Sequence, residues 1–397
     1  MRSMMPLRRR RIAIDVRYLS HGLVGGVHTY QRNLVQALLA ADSGHDYVLW
    51  ADSKAQFEID DLPAHAELRL LPWSGAISSL HNDRQLGVAM VRSGADVAHF
   101  PANYGFAPPL LPSVVTLHDA INIMPLHEIW RGHRKRPKTL AMMTYLHLTT
   151  TQALRHQPFV VTVSKHARRE ILRYTKLNPA RILAIPSAHD PVFQRLMQSE
   201  IDEERRQRRL SKRVVLADAI KNPASTLRAW RALPEHVRGE TDLVFFSRRT
   251  PESAVLDAAG HGEVRLELRP DRADLVRLFN LADAFVFPSW YEGFGLPVLE
   301  AMACGAPVIA SNRGSLPEVV GNGGTVVDAE DHEAIVSALI PLLTNQQHQE
   351  RMRTRALSRA AAFSWDRTAQ KMIDVYDHLL DSRRPQREWQ PGQVAAD

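Results

Sequence analysis

Short apolar runs alternate with amphipathic stretches along most of the chain, and this alternation restricts the fold more than any other feature. The apolar runs with the length of β-strands are 12–16, 47–50, 97–100, 114–117, 160–163, 182–185, 214–217, 243–247, 264–268, 284–287, 308–310 and 325–327. Between them lie stretches with helical spacing, such as 28–40, where Tyr30, Leu34 and Leu38 recur at every fourth residue. Strands that alternate with helices form βαβ units and parallel sheets, so the predicted fold class is α/β.

One highly charged segment interrupts the alternation. Residues 194–212 carry many charged side chains and few apolar ones, so we expect an inter-domain linker there. A chain of 397 residues accommodates two domains of roughly 100–200 residues each. We predict two Rossmann-like domains that face each other across a cleft, since such sheets bind ligands at the carboxyl ends of their strands. The predicted division is an N-terminal domain over 1–193, the linker over 194–212, a C-terminal domain over 213–364, a helix over 365–382 that packs back toward the first domain, and a disordered tail over 383–397.

The charge balance narrows the class of partner. A net charge of +7 suits a nucleic acid, an anionic membrane surface or a phosphorylated ligand. Two basic clusters, Arg8–Arg11 and Arg131–Lys138, fall in the first predicted domain, although solvated helix faces explain such clusters equally well. No zinc-finger motif or RNA-recognition signature accompanies them, so we expect no nucleic acid as a partner. An anionic membrane surface and a phosphorylated ligand remain.

Cysteine content and hydropathy indicate the compartment. The single cysteine, Cys304, excludes an internal disulfide and a cysteine-based zinc site, and it fits a reducing environment. The sequence contains no run of about 18 apolar residues that would predict a transmembrane helix. The basic first residues lack the apolar core of a secretory signal. We therefore expect a cytoplasmic protein, with peripheral attachment to the inner face of the membrane as an option, and the oligomeric state stays open.

The stretch 284–328 carries the strongest chemical signal. The predicted strand 284–287 is followed by a loop, and Pro297 is typical of the first turn of a helix, which Gly305 would end. The first amides of a helix lack partners within the helix and lie at its positive end, so residues 294–296 predict an anion site. Farther on, Ser315 and Glu318 have the spacing of a helix capping box.

Two glutamates flank this predicted anion site, Glu292 in the loop and Glu300 on the helix. A carboxylate repels phosphate, but it accepts hydrogen bonds from sugar and ribose hydroxyls. Two such groups beside a diphosphate site are what a nucleotide-sugar needs. On physical grounds alone, a surface role for Glu292 and a helix-dipole role for Glu300 explain the two residues equally well.

The stretch 284–328 resembles the donor-site signature of the retaining glycosyltransferases of family 4, which have the GT-B fold. The signature is a glutamate, seven residues and a second glutamate, here Glu292 and Glu300, followed by a Leu-Pro-Glu-Val-Val segment at 316–320. The resemblance implies that Glu292 contacts the donor sugar and Glu300 the ribose. It also implies that the backbone of Gly293, Phe294, Gly295 and Leu296 contacts the sugar and the diphosphate.

Other positions resemble the same family. Gly25 and Gly26, with Gly22 before them, match the glycine loop beside the donor diphosphate, and His118 and Asp119 match a His-Asp pair at the acceptor face. Lys221-Asn222 matches the family's Lys-Asn, whose lysine binds the donor phosphates.

The sequence departs from the family pattern close to that lysine. The family usually has an arginine a few residues before it, whereas this chain has Asp218 and no arginine. Arg248, Arg249 and Arg313 are the candidates for the missing charge.

Together these residues predict a retaining hexosyltransferase of cell-surface polysaccharide biosynthesis. The donor is expected to be a nucleotide-sugar, with mannose or glucose as the sugar, and the acceptor a glycan or a lipid-linked glycan. His118, Asp119, Lys221 and Glu292 are the predicted catalytic residues. Because no Asp-x-Asp motif ends a strand, we expect no metal and no cofactor. Two alternatives remain: a nucleotide-sugar-binding regulatory protein with weak catalysis, which the missing arginine suggests, and a sugar-nucleotide epimerase on the same architecture.

Overall fold

The computed structural model describes residues 9–21, 25–59, 61–131, 137–156 and 158–381. It divides the chain into two compact units, one up to Ser187 that also includes the segment from Trp365 onward, and one from Ala188 to Ser364. Gly22, Arg8, residues 132–136 of the second basic cluster and the tail 383–397 lie outside the described residues. No helix of the described part has the length and apolar character needed to cross a membrane.

The first unit is built on a parallel sheet. Its strands are β1 (Arg10–Asp15), β2 (His45–Asp52), β3 (Ala66–Leu71), β4 (Val97–Phe100), β5 (Ser113–Leu117), β6 (Phe159–Thr162) and β7 (Ile182–Ala184), in the order β3-β2-β1-β4-β5-β6-β7. Its helices are α1 (Gly26–Ala40), α2 (Ala76–Arg92), α3 (Leu126–Arg131), α4 (Pro137–Arg155), α5 (Lys165–Tyr174) and, from the end of the chain, α15 (Trp365–Asp381). The neighbouring strands that pair are parallel, as predicted.

The second unit is also built on a parallel sheet. Its strands are β8 (Arg213–Asp218), β9 (Thr241–Ser247), β10 (Arg265–Leu268), β11 (Ala284–Phe287), β12 (Val308–Ser311) and β13 (Gly324–Val327), in the order β10-β9-β8-β11-β12-β13. Its helices are α6 (Gln198–Gln207), α7 (Pro223–Ala232), α8 (Glu235–Arg238), α9 (Ser253–Gly260), α10 (Arg272–Leu281), α11 (Leu296–Ala303), α12 (Leu316–Val320), α13 (His332–Thr344) and α14 (Gln346–Ala360). Both units thus have the predicted Rossmann-like α/β architecture.

Hydrophobic periodicity predicts the central elements because each has a face in the core. In α1, the residues of the predicted stripe, Tyr30, Leu34 and Leu38, are at most 1% exposed. All four residues of β11 are fully buried, as expected for a strand covered on both faces of a parallel sheet. The edge strand β3 was not predicted, because most of its side chains are only partly buried and charged residues interrupt its apolar pattern.

The segment predicted as a linker is part of the second unit, and the boundary lies at Ser187 rather than at residue 193. Residues 194–212 contain α6, which buries Ile201 and contacts α10. The dense charge in this segment has a structural role, because Arg208 pairs with Glu204 at 2.6 Å and with Glu267 at 2.8 Å. The composition of the segment therefore reflects ion pairs on a packed helix and not a solvated connector.

The terminal helix α15 belongs to the first unit, where it packs against α1. The ring of Trp365 lies 5.7 Å from that of Tyr30, and the hydroxyl of Tyr376 lies 2.7 Å from Nδ1 of His99. Burial of apolar area and a hydrogen bond to a buried imidazole hold this segment on the first sheet although it follows the second unit in sequence.

Candidate functional site

The loop between β11 and α11 places Glu292 next to a lysine from another loop. Oε1 of Glu292 lies 2.7 Å from Nζ of Lys221 and accepts a hydrogen bond from Oγ of Ser289 at 2.8 Å. The side chain of Glu292 is 13% exposed and that of Lys221 is 33% exposed. The two residues, predicted separately from different parts of the sequence, therefore form one charged pair that is open to solvent on the lysine side.

The shape of this loop is fixed by the segment after β12. The amide and the hydroxyl of Ser315 both donate to the carbonyl of Glu292 at 3.1 Å, and the hydroxyl also donates to the carbonyl of Phe294 at 2.7 Å. Gly314 has a φ of +62°, and a Cβ atom there would lie 2.5 Å from the carbonyl oxygen of Glu292. The helix that the capping-box spacing predicts is present, since Ser315 is the N-cap of α12, but the predicted cap by its side chain is wrong, because its hydroxyl holds the loop instead.

Helix α11 begins directly after this loop. Gly295 occupies the N-cap position with a φ of 101°, a left-handed conformation that favours glycine, and Pro297 lies in the first turn. Phe294 is buried, which anchors the turn. The positive end of α11 therefore lies beside Glu292, as the sequence predicted.

Lys221 is placed by the residue that follows it. Asn222 adopts a left-handed φ of 53°, and its Nδ2 atom donates to the carbonyl of Pro288 at 3.1 Å and to that of Ala329 at 3.0 Å. These bonds tie the loop after β8 to the end of β11 and to the segment after β13. Asn222 is a positioning residue, and only the folded structure shows which carbonyls it binds.

The added carboxylate of this chain lies beside the same pair. Burial raises the pKa of Asp218, and the charge of Glu292 raises it further. The hydrogen bond from the amide of Ile220 lowers the pKa, as do the positive charges of Lys221 and Arg248. Of the three candidates for the missing cation, Arg248 therefore acts on this site. Arg313 pairs with Asp328 at 3.1 Å.

Glu300 lies inside the unit on α11. It is 4% exposed, and its Oε2 atom is buried with no hydrogen-bond partner. Burial raises the pKa of this carboxyl group from 4.5 to about 7, against the opposing charge of Arg248. A buried carboxyl oxygen without a partner is costly unless a ligand supplies a donor, so Glu300 is suited to bind a hydroxyl group.

The predicted residues of the first unit lie at the carboxyl ends of its strands. His118 follows β5; its Nε2–H donates to the carbonyl of Pro101 at 2.9 Å and its ring makes an edge contact with Tyr30 at 4.7 Å. Burial lowers the pKa of His118 to about 4, so the imidazole is neutral at neutral pH. Asp119 accepts a hydrogen bond from the amide of Ile121 at 2.8 Å.

The glycine loop is only partly described. Gly25 is the N-cap of α1 and Gly26 is its first residue.

Comparison with known proteins assigns the family. The model for Glycosyltransferase Family 4 matches residues 24–193, and that for Glycosyl transferases group 1 matches residues 216–359. O-antigen chain mannosyltransferase B of Escherichia coli is 31% identical over 311 residues, which cover 76% of this chain and 78% of that protein. The chain belongs to glycosyltransferase family 4. The first matched region contains Gly25, Gly26, His118 and Asp119. The second contains Lys221, Glu292 and Glu300.

Solved structures show that this glycosyltransferase has the GT-B fold. WaaG, a glycosyltransferase involved in lipopolysaccharide biosynthesis, matches with a TM-score of 0.70 at 16% identity, over 92% of this chain and 99% of WaaG. HepE of Anabaena, solved with UDP and glucose, matches with a TM-score of 0.65 at 16% identity, over 93% of this chain and 100% of HepE. At these identities the likeness concerns the fold alone.

Sequence reasoning missed a buried charged cluster in the first unit of the glycosyltransferase. Arg17 pairs with Asp15 at 2.7 Å and with Asp83 at 2.8 Å, and all three side chains are at most 8% exposed. The hydroxyl groups of Tyr104 and Tyr145 also donate to Asp83. Asp83, Tyr104 and Tyr145 are far in sequence from Asp15 and Arg17, so no local pattern could reveal the cluster.

A cavity of about 570 Å³ adjoins this cluster between α2 and α4. The surface that lines this cavity is mostly apolar. Its polar groups are largely bound within the protein: Asp83 pairs with Arg17, and the hydroxyls of Thr149 and Thr151 donate to carbonyls of their own helix. Its other lining residues are Arg84, Phe106, Tyr145, Leu148, Gln152 and Arg155. Two arginines on an apolar cavity give it an amphipathic character with positive charge.

Proposed function

We propose that this family 4 enzyme is a retaining hexosyltransferase that moves a hexose from a nucleotide-sugar to a glycan or lipid-linked glycan acceptor in polysaccharide biosynthesis. The observation that carries the proposal is the Lys221–Glu292 pair beside the positive end of α11, with the unpartnered Glu300 on the same helix. This arrangement places cationic groups that can bind a diphosphate next to carboxylates that can accept hydrogen bonds from hydroxyl groups. The names of the similar proteins agree, since one is an O-antigen mannosyltransferase and HepE was solved with UDP and glucose.

The proposed reaction begins with departure of the nucleoside diphosphate. Lys221 and the first amides of α11 stabilise the negative charge that develops on the phosphates, because they are held in place before the bond breaks. The sugar gains positive charge, as in glycoside hydrolysis, and Glu292 stabilises it. The acceptor hydroxyl attacks from the face that the diphosphate leaves, its proton passes to the leaving phosphate, and the configuration is retained. His118, which is neutral, and Asp119 orient the acceptor.

A panel of nucleotide-sugars tests this function directly. Each donor is incubated with the purified chain and with membrane extract as a source of acceptor, and the products are identified by mass spectrometry. Transfer of a hexose with release of nucleoside diphosphate supports the proposal. Conversion of the donor to an epimer without release identifies an epimerase, and binding of a donor without any conversion identifies a regulatory protein; either result contradicts the proposal.

Turnover is expected to survive EDTA. Among the residues that the structure describes, no three or more His, Cys, Asp or Glu side chains are grouped to hold a metal ion, and the proposal assigns the phosphate charge to Lys221 and backbone amides. The rate of nucleoside diphosphate release is measured with and without EDTA. Complete loss that manganese or magnesium restores would show that a metal bridges the diphosphate, contrary to the proposed mechanism.

The acceptor is proposed to be lipid-linked, with its lipid in the cavity between α2 and α4. Leu148 lines this cavity and is 57% exposed, while Met142 on the same helix is 55% exposed. Arg84 and Arg155 supply positive charge for a lipid phosphate. The apolar lining and the two arginines fit the two parts of such a molecule.

Vesicle binding is therefore expected to require anionic lipid and to weaken as salt is added. Co-sedimentation with phosphatidylglycerol vesicles and with phosphatidylcholine vesicles measures it. Leu148→Asp should reduce binding, whereas Leu256→Asp, at an exposed leucine of the second unit, should not. Equal binding to neutral vesicles, or equal effects of the two substitutions, would argue against a membrane role for this face.

A further inference from the structure

A second cavity, of about 260 Å³, lies at the amino-terminal ends of the central strands β8 and β11 of the second sheet. Its lining includes Arg213 at the start of β8 and Asp283 directly before β11. Lys221 and Glu292, in contrast, follow the carboxyl ends of those two strands. The cavity is therefore separate from the site that the proposed transfer reaction uses.

The lining of this cavity is strongly basic. Five cationic side chains contribute to it, namely those of Arg195, Arg205, Lys212, Arg213 and Arg353. Two carboxylates, Asp283 and Glu350, are the acidic side chains of the lining. Lys212 pairs with Glu240, outside the lining, at 3.4 Å, so the four arginines supply the excess of positive charge around this small polar space.

Neutral carbonyl groups hold the arginines in place. Arg195 donates to the carbonyl of Asn280 at 3.1 Å and Arg353 donates to that of Gly305 at 2.7 Å. Arg213 donates to the carbonyl of Leu343 at 3.1 Å. Bonds of this kind fix the guanidinium groups without neutralising their charge.

The two carboxylates of the lining are already bound within the protein or exposed to solvent, so neither saturates the donors of the arginines. Asp283 accepts from Arg205 at 3.2 Å but also from the amide of Val214 and from Gln349, both at 2.8 Å. Glu350 is 59% exposed, and its Oε1 atom is 3.5 Å from Nε of Arg353. That Nε atom is buried and has no hydrogen-bond partner.

Mutual repulsion of the cations is consistent with this imbalance. Burial, the larger cause, and the neighbouring charge of Arg353 together lower the pKa of Arg195 to about 10. An anion in the cavity would relieve this repulsion and give the buried Nε–H of Arg353 an acceptor.

We propose that this cavity is a second anion site, which binds a phosphate or diphosphate group. Guanidinium groups match the oxygens of phosphate in geometry as well as in charge. Several arginines from separate segments converge on the cavity, so the site is formed by the tertiary structure of the second unit. Its binding of anions is independent of whether the enzyme transfers a hexose.

Isothermal titration with inorganic pyrophosphate tests the site, on the full chain at constant ionic strength. The titrations use a Lys221→Ala background, which weakens diphosphate binding at the candidate donor site. We expect pyrophosphate to bind this background, and Arg353→Gln to weaken binding at least ~10-fold, as loss of a charge-assisted hydrogen bond predicts. Arg195→Gln is measured in parallel, so that the test does not depend on the folding of one variant.

Arg231→Gln is the matched control, because Arg231 is 57% exposed and pairs with Glu263 elsewhere on the second unit. It should change pyrophosphate binding by less than about twofold. The unfolding midpoint without pyrophosphate identifies any variant that has lost its fold. Absence of pyrophosphate binding in the Lys221→Ala background, or unchanged affinity in a folded Arg353→Gln or Arg195→Gln variant, would overturn the proposal.

Discussion

Replacing Lys221 with alanine is expected to lower kcat/KM for the donor at least ~100-fold, the scale of losing one preorganised charge stabiliser. The arginine that usually accompanies this lysine in family 4 is missing. Loss of Lys221 also leaves Glu292 without its ion-pair partner at 2.7 Å, next to the carboxyl group of Asp218. In that variant the carboxyl groups of Glu292 and Asp218 would repel the diphosphate. Arg248, whose charge acts on Asp218, would then be left to offset them.

Steady-state kinetics with the donor identified by the panel measures this effect. Lys176→Ala, at an exposed lysine of the first unit, is the control and should behave as the wild type. A decrease of less than about threefold for Lys221→Ala would show that the phosphates are bound elsewhere. Arg248→Ala would then be the next substitution to test, since this arginine already acts on Asp218 and Glu300.

The two glutamates are expected to have separable kinetic effects. Glu292 lies in the loop beside Lys221. It is proposed to contact the sugar, and such a contact would strengthen as the sugar gains positive charge. Glu300 lies on α11 and is proposed to bind the ribose, a contact that is the same before and during the reaction. Glu292→Gln should therefore lower kcat, and Glu300→Gln should mainly raise the donor KM.

The same kinetic experiment can show that the assignment is wrong. If Glu300→Gln lowers kcat while Glu292→Gln only raises KM, the two roles are reversed. If both variants keep wild-type kinetics, the donor does not bind here. Because glutamine is similar in size to glutamate and keeps one oxygen acceptor, the comparison isolates the carboxyl group.

Stability measurements supply a second readout for Glu300. The pKa of this carboxyl group is raised from 4.5 to about 7 by burial, so the folded state favours the protonated form. Its contribution to stability is complete below pH 4.5 and is lost as pH rises through 7. The shift corresponds to about 3 kcal/mol between those limits.

Glu300→Gln removes that titration. Urea unfolding from pH 4.5 to 8 should therefore show a smaller loss of stability in the variant than in the wild type. The same pH dependence in both proteins would show that Glu300 does not titrate in this range. The measurement also confirms that the variant used for kinetics is folded.

The sequence by itself determined the α/β class, most of the strands and the residues proposed to bind the donor. Apolar strands and amphipathic helices differ in period, and central elements keep that period because a whole face is buried. The Glu292–Glu300 signature was readable because its residues lie within one loop and one helix. For the same reason, the start of α11 was predicted from Pro297 alone.

Tertiary structure decided how residues distant in sequence meet. The pairing of Lys221 with Glu292, the support of their loops by Asn222 and Ser315, and the action of Arg248 on Asp218 and Glu300 all depend on which strands are neighbours. A charged segment such as 194–212 has the composition of a linker, and only its packing shows that its ion pairs hold α6 on the second unit. Composition records which charges are present, whereas electrostatic energy depends on their distances and burial, which the fold alone sets.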